Sequence, residues 1–167
     1  MFVDDPLITD DARGLVADLT VRKQSLATAE SLTGGLLAAT IAGVAGASKV
    51  LRGGLITYTE QTKVALAGVA PQILAEVGPV AAPTARALAV GARERCAATW
   101  GVGLTGVAGP EPHGDHQVGT VFMALAGPGE YGAAEVVELQ FSGTRWDIRI
   151  AAVRESISRL RVLVAAA

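Results

Sequence analysis

Short apolar runs alternate with helical stretches along the first two thirds of this chain, and that alternation restricts the folds it can adopt. Apolar spacing, prolines and capping residues predict helices over 9–22, 32–42, 61–66, from Pro71, from Pro83 to about 99, and from 142 or 143 to about 164. Strands are predicted over 25–29, 50–58, 100–105, 118–126 and 134–141. Because helices separate the early strands and a tight turn joins the last two, we expect one layered α/β domain, 1–167, with a mixed sheet flanked by helices.

Composition excludes several classes of protein. Half of the 167 residues are apolar and 18% are charged, which suits an ordered core, and the net charge of −2 lacks the basic stripe of a nucleic-acid binder. The single cysteine, Cys96, cannot form an internal disulfide or a multi-cysteine zinc site. Without a signal peptide or a membrane-length apolar run, the sequence predicts a cytoplasmic protein with no membrane and no nucleic-acid partner.

The first of three candidate site segments is residues 28–35, a strand-to-helix turn rich in hydroxyls and glycines. Such a turn presents backbone N–H groups and a helix N-terminus to an anion. Ser31 or Thr33 can equally cap the helix, which by itself is the more common role. The segment lacks the Gly-Lys-Ser/Thr ending of a P-loop, so that class of nucleotide site is excluded.

The second segment is residues 46–54, followed by Tyr58 and Lys63. Ser48 is a weak nucleophile unless a base takes its proton. Both histidines of the chain lie in one later loop, which leaves little support for a Ser–His–Asp triad. Lys63 can act as the base if burial favours its neutral form, although an exposed helix lysine is the more ordinary interpretation. Tyr58 can hold a ligand or simply fill space.

The third segment is residues 104–110, whose small side chains after a strand allow a ligand to approach the backbone closely. The loop beyond it carries His113, Asp115 and His116. These residue types can bind a metal, but such a cluster is more often a solvated loop, and we expect neither a metal nor a cofactor.

Five motifs in order along the chain resemble the C-terminal domain family of CinA, the competence/damage-inducible protein. They are Thr-Ala-Glu-Ser-x-Thr-Gly-Gly at 28–35, Gly-Gly-x-x-x-Tyr-x-x-x-x-Lys at 53–63, Gly-Val-Ala-Gly-Pro at 106–110, Val-Gly-Thr-Val at 118–121 and Phe-x-Gly-x-Arg-x-x-Ile-Arg at 141–149. The resemblance covers nearly the whole chain. Stand-alone members of this family are nicotinamide-nucleotide amidohydrolases, also called NMN deamidases.

The resemblance implies hydrolysis of nicotinamide mononucleotide to nicotinate mononucleotide and ammonia, in pyridine-nucleotide recycling, by a Ser/Lys mechanism without metal. On the matched positions, Ser48 corresponds to the nucleophile, Lys63 to the general base and Tyr58 to a supporting catalytic residue. The residues expected to bind the substrate are Ser31, Thr33, Gly34, Gly35, Thr105, Gly106 and Arg145. No counterpart is expected of the molybdopterin-binding-like N-terminal half of full-length CinA proteins.

Departures from the family pattern keep two alternatives open. Leu32 replaces a small cysteine, Thr59-Glu60 replaces a Ser-Asn pair, and the loop at 111–117 is poorer in glycine and lacks a Lys-Pro pair. One alternative is a nucleotide-binding or interaction module that lacks the chemistry, and the other is a hydrolase for another small amide. The high apolar content and the Leu-Val-Ala-Ala-Ala end of the last helix also predict a homo-oligomer.

Overall fold

A computed structural model describes residues 7–167. Its helices are α1 Asp10–Val21, α2 Leu36–Ala42, α3 Glu60–Ala67, α4 Pro71–Val77, α5 Ala82–Arg95 and α6 Arg145–Ala166. Its strands are β1 Leu26–Glu30, β2 Leu51–Ile56, β3 Trp100–Gly106, β4 Thr120–Ala126 and β5 Glu135–Gln140. The expected absence of a leader peptide concerns residues 1–6, which lie outside the described part.

The strands form a five-stranded sheet in the order β2-β1-β3-β4-β5. Strand β1 pairs in parallel with both β2 and β3, whereas β4 pairs antiparallel with β3 and with β5. The predicted single α/β domain with a mixed sheet is therefore confirmed. Since the chain goes from β1 to one neighbour and then returns to the other, the carboxyl ends of β1 and β3 border a topological switch point, where α/β folds bind ligands.

Helices cover both faces of the sheet. On one face, α1, α2 and α6 enclose a core that includes Leu26, Trp100, Val102, Leu104 and Met123. On the other face, alanines of α5 pack on alanines of β1 and β4. Alternating side chains of the buried strands thus contribute to a core on each face, as a sheet covered on both faces requires.

Glycines of β3 bring α5 unusually close to the sheet. A Cβ atom on Gly101 would lie 2.1 Å from the Ala89 carbonyl oxygen, and one on Gly103 would lie 2.3 Å from that of Ala85. No side chain fits at those distances, so small residues on the strand and on the helix allow this contact. The close packing holds α5 directly against β3.

The predicted element boundaries agree within three residues except at the end of α5, which stops at Arg95 rather than near residue 99, and at the start of α2. The sequence predicts that helix from residue 32, but it begins at Leu36 because Gly34 and Gly35 adopt left-handed φ values of 59° and 97°. Residues 31–35 form a tight turn instead. Among the described residues, no helix is long and apolar enough to cross a membrane.

Candidate active site

A crevice of about 260 Å³ opens at the carboxyl ends of the three parallel strands. The turn after β1 contributes Ser31 and Leu32, and the chain after β2 contributes Tyr58 and Lys63. The remaining lining residues are Pro79, Val80, Thr105, Gly106, Val107, Ala108, Gly109, Glu111, Pro112, His113 and Arg145. Polar groups from separate parts of the sequence therefore converge on one small cavity at the switch point.

Lys63 and Ser31 form the centre of this crevice. The Lys63 Nζ donates hydrogen bonds to the Ser31 Oγ at 3.1 Å and to the Thr57 carbonyl oxygen at 2.8 Å. Lys63 lies in the first half of α3, whose start is fixed by a capping box between Thr59 and Thr62. The side chain of Lys63 is 1% exposed, so its amine has almost no access to water.

Burial alters the protonation of this lysine. Desolvation lowers the Lys63 pKa from 10.5 to about 8, and the nearby negative charge of Glu60 partly offsets that shift. No carboxylate forms an ion pair with Lys63 among residues 7–167. Its amine is thus neutral in a useful fraction of molecules near neutral pH, and a neutral amine hydrogen-bonded to a serine can take the hydroxyl proton.

Arg145 defines the outer side of the crevice. Its guanidinium donates to the Gly109 carbonyl oxygen and, at 2.6 Å, to the Tyr58 hydroxyl. Deeper in the crevice, the buried Thr105 hydroxyl donates to the Pro79 carbonyl oxygen at 2.6 Å. The structure therefore brings the predicted residues Tyr58, Thr105 and Arg145 to the same cavity as Lys63.

Ser48 does not lie in this cavity. It is exposed in a 3₁₀ turn, Ala47–Lys49, that precedes β2, whereas Lys63 follows β2. The six residues of β2 separate them by about 20 Å at ~3.3 Å per residue. The predicted Ser48–Lys63 pairing is therefore wrong, and Ser31 is the serine that contacts Lys63.

The predicted anion site at Gly34–Gly35 is also corrected, because a side chain of the protein already occupies it. Glu30, 1% exposed, accepts hydrogen bonds from the N–H groups of Gly35, Leu37 and Ala38 at 3.1, 3.0 and 2.9 Å. The Thr28 hydroxyl adds a fourth at 3.0 Å. Since those donors are used, they are not available to a substrate phosphate.

Three more predicted residues have different positions. The Thr33 side chain is fully buried, and its hydroxyl has no hydrogen-bond partner. His113 lines the crevice, while the His116 ring packs edge-on against Phe122, with ring centroids 5.5 Å apart. Within residues 7–167, no group of three or more His, Cys, Asp or Glu side chains is arranged to hold a metal ion.

Comparison with known proteins shows the family of this chain. A model of the CinA C-terminal domain matches residues 9–164. The chain belongs to this family. A CinA-like protein of Anaeromyxobacter sp. (strain Fw109-5) is 46% identical over 149 residues, covering 89% of this chain and 36% of that protein. A CinA-like protein of Frankia casuarinae is 42% identical over 157 residues, covering 93% of this chain and 36% of that protein. The chain thus spans about a third of the length of these CinA-like relatives.

Solved CinA-family structures share the fold over nearly their full length. The competence/damage inducible protein CihA from Agrobacterium tumefaciens has a TM-score of 0.90 at 33% identity, and the alignment covers 99% of both chains. A CinA superfamily protein from Klebsiella pneumoniae 700603 also has a TM-score of 0.90, at 26% identity over 95% of this chain and 98% of that one. The fold of this chain is therefore the fold of these CinA-family structures.

Two residues that sequence reasoning overlooked hold the turn of this CinA domain. Glu30 binds N–H groups on one side, and Arg149 donates to the carbonyl oxygens of Leu32 and Thr33 at 3.0 and 2.9 Å. Both belong to motifs used for the family resemblance. The sequence signal for the role of Glu30 is its position directly after the predicted strand over 25–29, because a buried carboxylate needs several hydrogen-bond donors close by. Nothing local to Arg149 predicts its contact, which spans 117 residues of sequence.

Proposed function

We propose that this domain is an amidohydrolase in which Ser31 is the nucleophile and Lys63 the general base, with nicotinamide mononucleotide as its substrate. The observation that carries the proposal is the 3.1 Å hydrogen bond between the buried Lys63 Nζ and the Ser31 Oγ. The substrate itself comes from the family resemblance. A deamidase needs a nucleophile, a base of suitable pKa and a proton for the departing ammonia, and this pair supplies all three.

The first half of the reaction uses Lys63 twice. As neutral Lys63 takes the Ser31 proton, the Oγ attacks the carboxamide carbon and forms a tetrahedral intermediate. The carbon–nitrogen bond then breaks, and protonated Lys63 donates that proton to the leaving nitrogen, which departs as ammonia. Ser31 is left as an ester of the pyridine carboxylate, and Lys63 is neutral again.

The second half returns the enzyme to its starting state. Neutral Lys63 removes a proton from a water molecule, whose oxygen attacks the ester carbon. The bond to Oγ breaks, and Lys63 returns the proton to Ser31, which releases the carboxylate product. The Thr57 carbonyl oxygen holds the amine at 2.8 Å and so keeps it close to Ser31 through both halves.

Arg145 is the residue best placed to bind the substrate phosphate. Glu30 fills the donors at the start of α2, so an anion needs another partner. The Arg145 guanidinium lies at the exposed side of the crevice and is oriented by Tyr58 and the Gly109 carbonyl. A guanidinium held in this way suits a phosphate group.

Ammonia release from nicotinamide mononucleotide tests the proposal. We expect turnover by the wild-type protein and a loss of at least about 10³-fold in kcat for Ser31→Ala, since the nucleophile is removed. Nicotinamide and nicotinamide riboside, which lack the phosphate, separate this substrate from other small amides. Tight binding of the nucleotide with no ammonia released would instead support the non-catalytic module.

A further inference from the structure

Two backbone N–H groups beside Ser31 make no hydrogen bond within the described residues 7–167. They belong to Leu32 and Thr33, which are 4% and 0% exposed. Their neighbours in the turn are all satisfied, since Ser31 N–H donates to the Leu104 carbonyl at 2.9 Å and Gly34 N–H to that of Ser31 at 3.0 Å. Gly35 N–H donates to Glu30. A buried N–H without a partner destabilises a folded protein, so such a pair calls for an explanation.

The peptide planes of this turn are fixed by contacts on their carbonyl sides. The Gly34-to-Ser31 hydrogen bond makes Leu32 and Thr33 the two central residues of a β-turn. Arg149 holds both of their carbonyl oxygens with its forked guanidinium. Because a trans peptide points its N–H opposite to its carbonyl, holding the Leu32 carbonyl directs the Thr33 N–H away from Arg149.

Successive N–H groups in a turn form a concave donor site for a negatively charged oxygen. Leu32 lines the crevice directly after Ser31, and a donor N–H on the residue after the nucleophile is the arrangement found at strand-to-helix turns of α/β-hydrolases. Building on the proposed function, we propose that the N–H groups of Leu32 and Thr33 form the oxyanion hole for the tetrahedral intermediate on Ser31. Arg149 and Glu30 act as positioning residues that hold this turn.

Leu32→Pro tests the proposal directly, with Leu32→Ala as its matched control. Proline suits the second position of a β-turn and has no N–H group, while both variants shorten the side chain of Leu32. We expect kcat of Leu32→Pro on nicotinamide mononucleotide to be at least about 10²-fold below that of Leu32→Ala, with KM unchanged. Equal kcat in the two variants would overturn the assignment.

A boronic acid probe makes the test independent of the natural substrate and of the folding of Leu32→Pro. Pyridine-3-boronic acid bonds to a reactive serine through boron and gives a tetrahedral adduct. In a crystal structure of the wild-type adduct, we expect one boronate oxygen within about 3.1 Å of both nitrogens. An oxygen bound instead by the 106–109 backbone would refute the proposal. If the adduct shows these contacts but no deamidation is measured, only the proposed substrate is rejected. If neither an adduct nor turnover is observed, both the proposed function and the oxyanion hole are rejected.

Discussion

At the scale of single residues, burial decides which lysine can act as a base. Lys63 is fully buried and hydrogen-bonded to Ser31, whereas Lys49 is exposed at the far end of β2. These two chemically identical side chains thus differ in their ability to act as a base, because only one of them is removed from water. Ser31 and Ser48 differ in their neighbours, since the Lys63 amine lies within hydrogen-bonding distance of Ser31 whereas Ser48 is exposed in the 3₁₀ turn before β2.

The pH dependence of activity follows from the lowered pKa of Lys63. Only the neutral amine accepts a proton, so kcat/KM should rise about tenfold per pH unit below the pKa and level off above about 8. Steady-state ammonia release from about pH 6 to about pH 9.5 measures this profile. A rate that stays constant across that range would exclude Lys63 as the base.

At the scale of elements, the Ser31–Gly35 turn depends on a helix far along the chain. Arg149 projects from the first turns of α6 and binds the Leu32 and Thr33 carbonyl oxygens, and its guanidinium lies 5.3 Å from the Trp146 ring centroid. Helix α6 therefore holds the turn in place as well as covering the core. Lysine carries the same charge but lacks the planar fork that reaches two oxygens at once.

Arg149→Lys should reduce kcat by about 10-fold to 10²-fold with little change in KM, because misplaced donors act on the transition state. Arg159→Lys is the matched control, since Arg159 lies on the same helix and pairs with Glu155 at the surface. Its kcat should equal that of the wild type. Kinetics of the two variants, with circular dichroism to verify folding, provide the measurement. Equal kcat values would show that the turn does not need Arg149.

Element order was predictable from the sequence, but the site was only partly so. Strand and helix patterns are local, so their period and capping residues reveal them. The contacts of Lys63 with Ser31 and of Arg149 with Leu32 join distant segments, which no local pattern encodes. The separation of Ser48 from Lys63 does follow from the sequence, because the predicted strand over 50–58 places them further apart than a side chain can reach.

At the scale of the whole molecule, the buried Lys63 reduces stability. The Lys63 pKa is about 8 in the folded protein and 10.5 as its ordinary value, so the unfolded chain binds more protons between those values. The contribution of this group to stability therefore rises with pH through that window. At neutral pH its burial costs on the order of 3 kcal/mol.

Lys63→Met should raise the free energy of unfolding by about 1–3 kcal/mol at pH 7, because the buried charge is removed while two hydrogen bonds are lost. The gain should shrink as the pH rises towards 10.5, the ordinary pKa of lysine. Urea unfolding at several pH values measures both effects, and exposed Lys49→Met serves as the control with no such trend. A gain that did not vary with pH would contradict the lowered pKa.

The predicted homo-oligomer and cytoplasmic location remain predictions. Large apolar side chains are exposed in several places, among them Ile56 at 51%, Trp146 at 50% and Val162 at 67%. Ile56 lies two positions before Tyr58, and Trp146 directly follows Arg145, and both Tyr58 and Arg145 line the crevice. An interface on that side would therefore also border the candidate active site.

The measurement that tests the central claim most directly compares kcat for ammonia release in Ser31→Ala and Ser48→Ala. If Ser31 is the nucleophile that Lys63 activates, Ser31→Ala loses activity by at least about 10³-fold. Ser48→Ala then keeps the wild-type rate, because Ser48 is exposed at the opposite end of β2. An inactive Ser48→Ala beside an active Ser31→Ala would contradict the account.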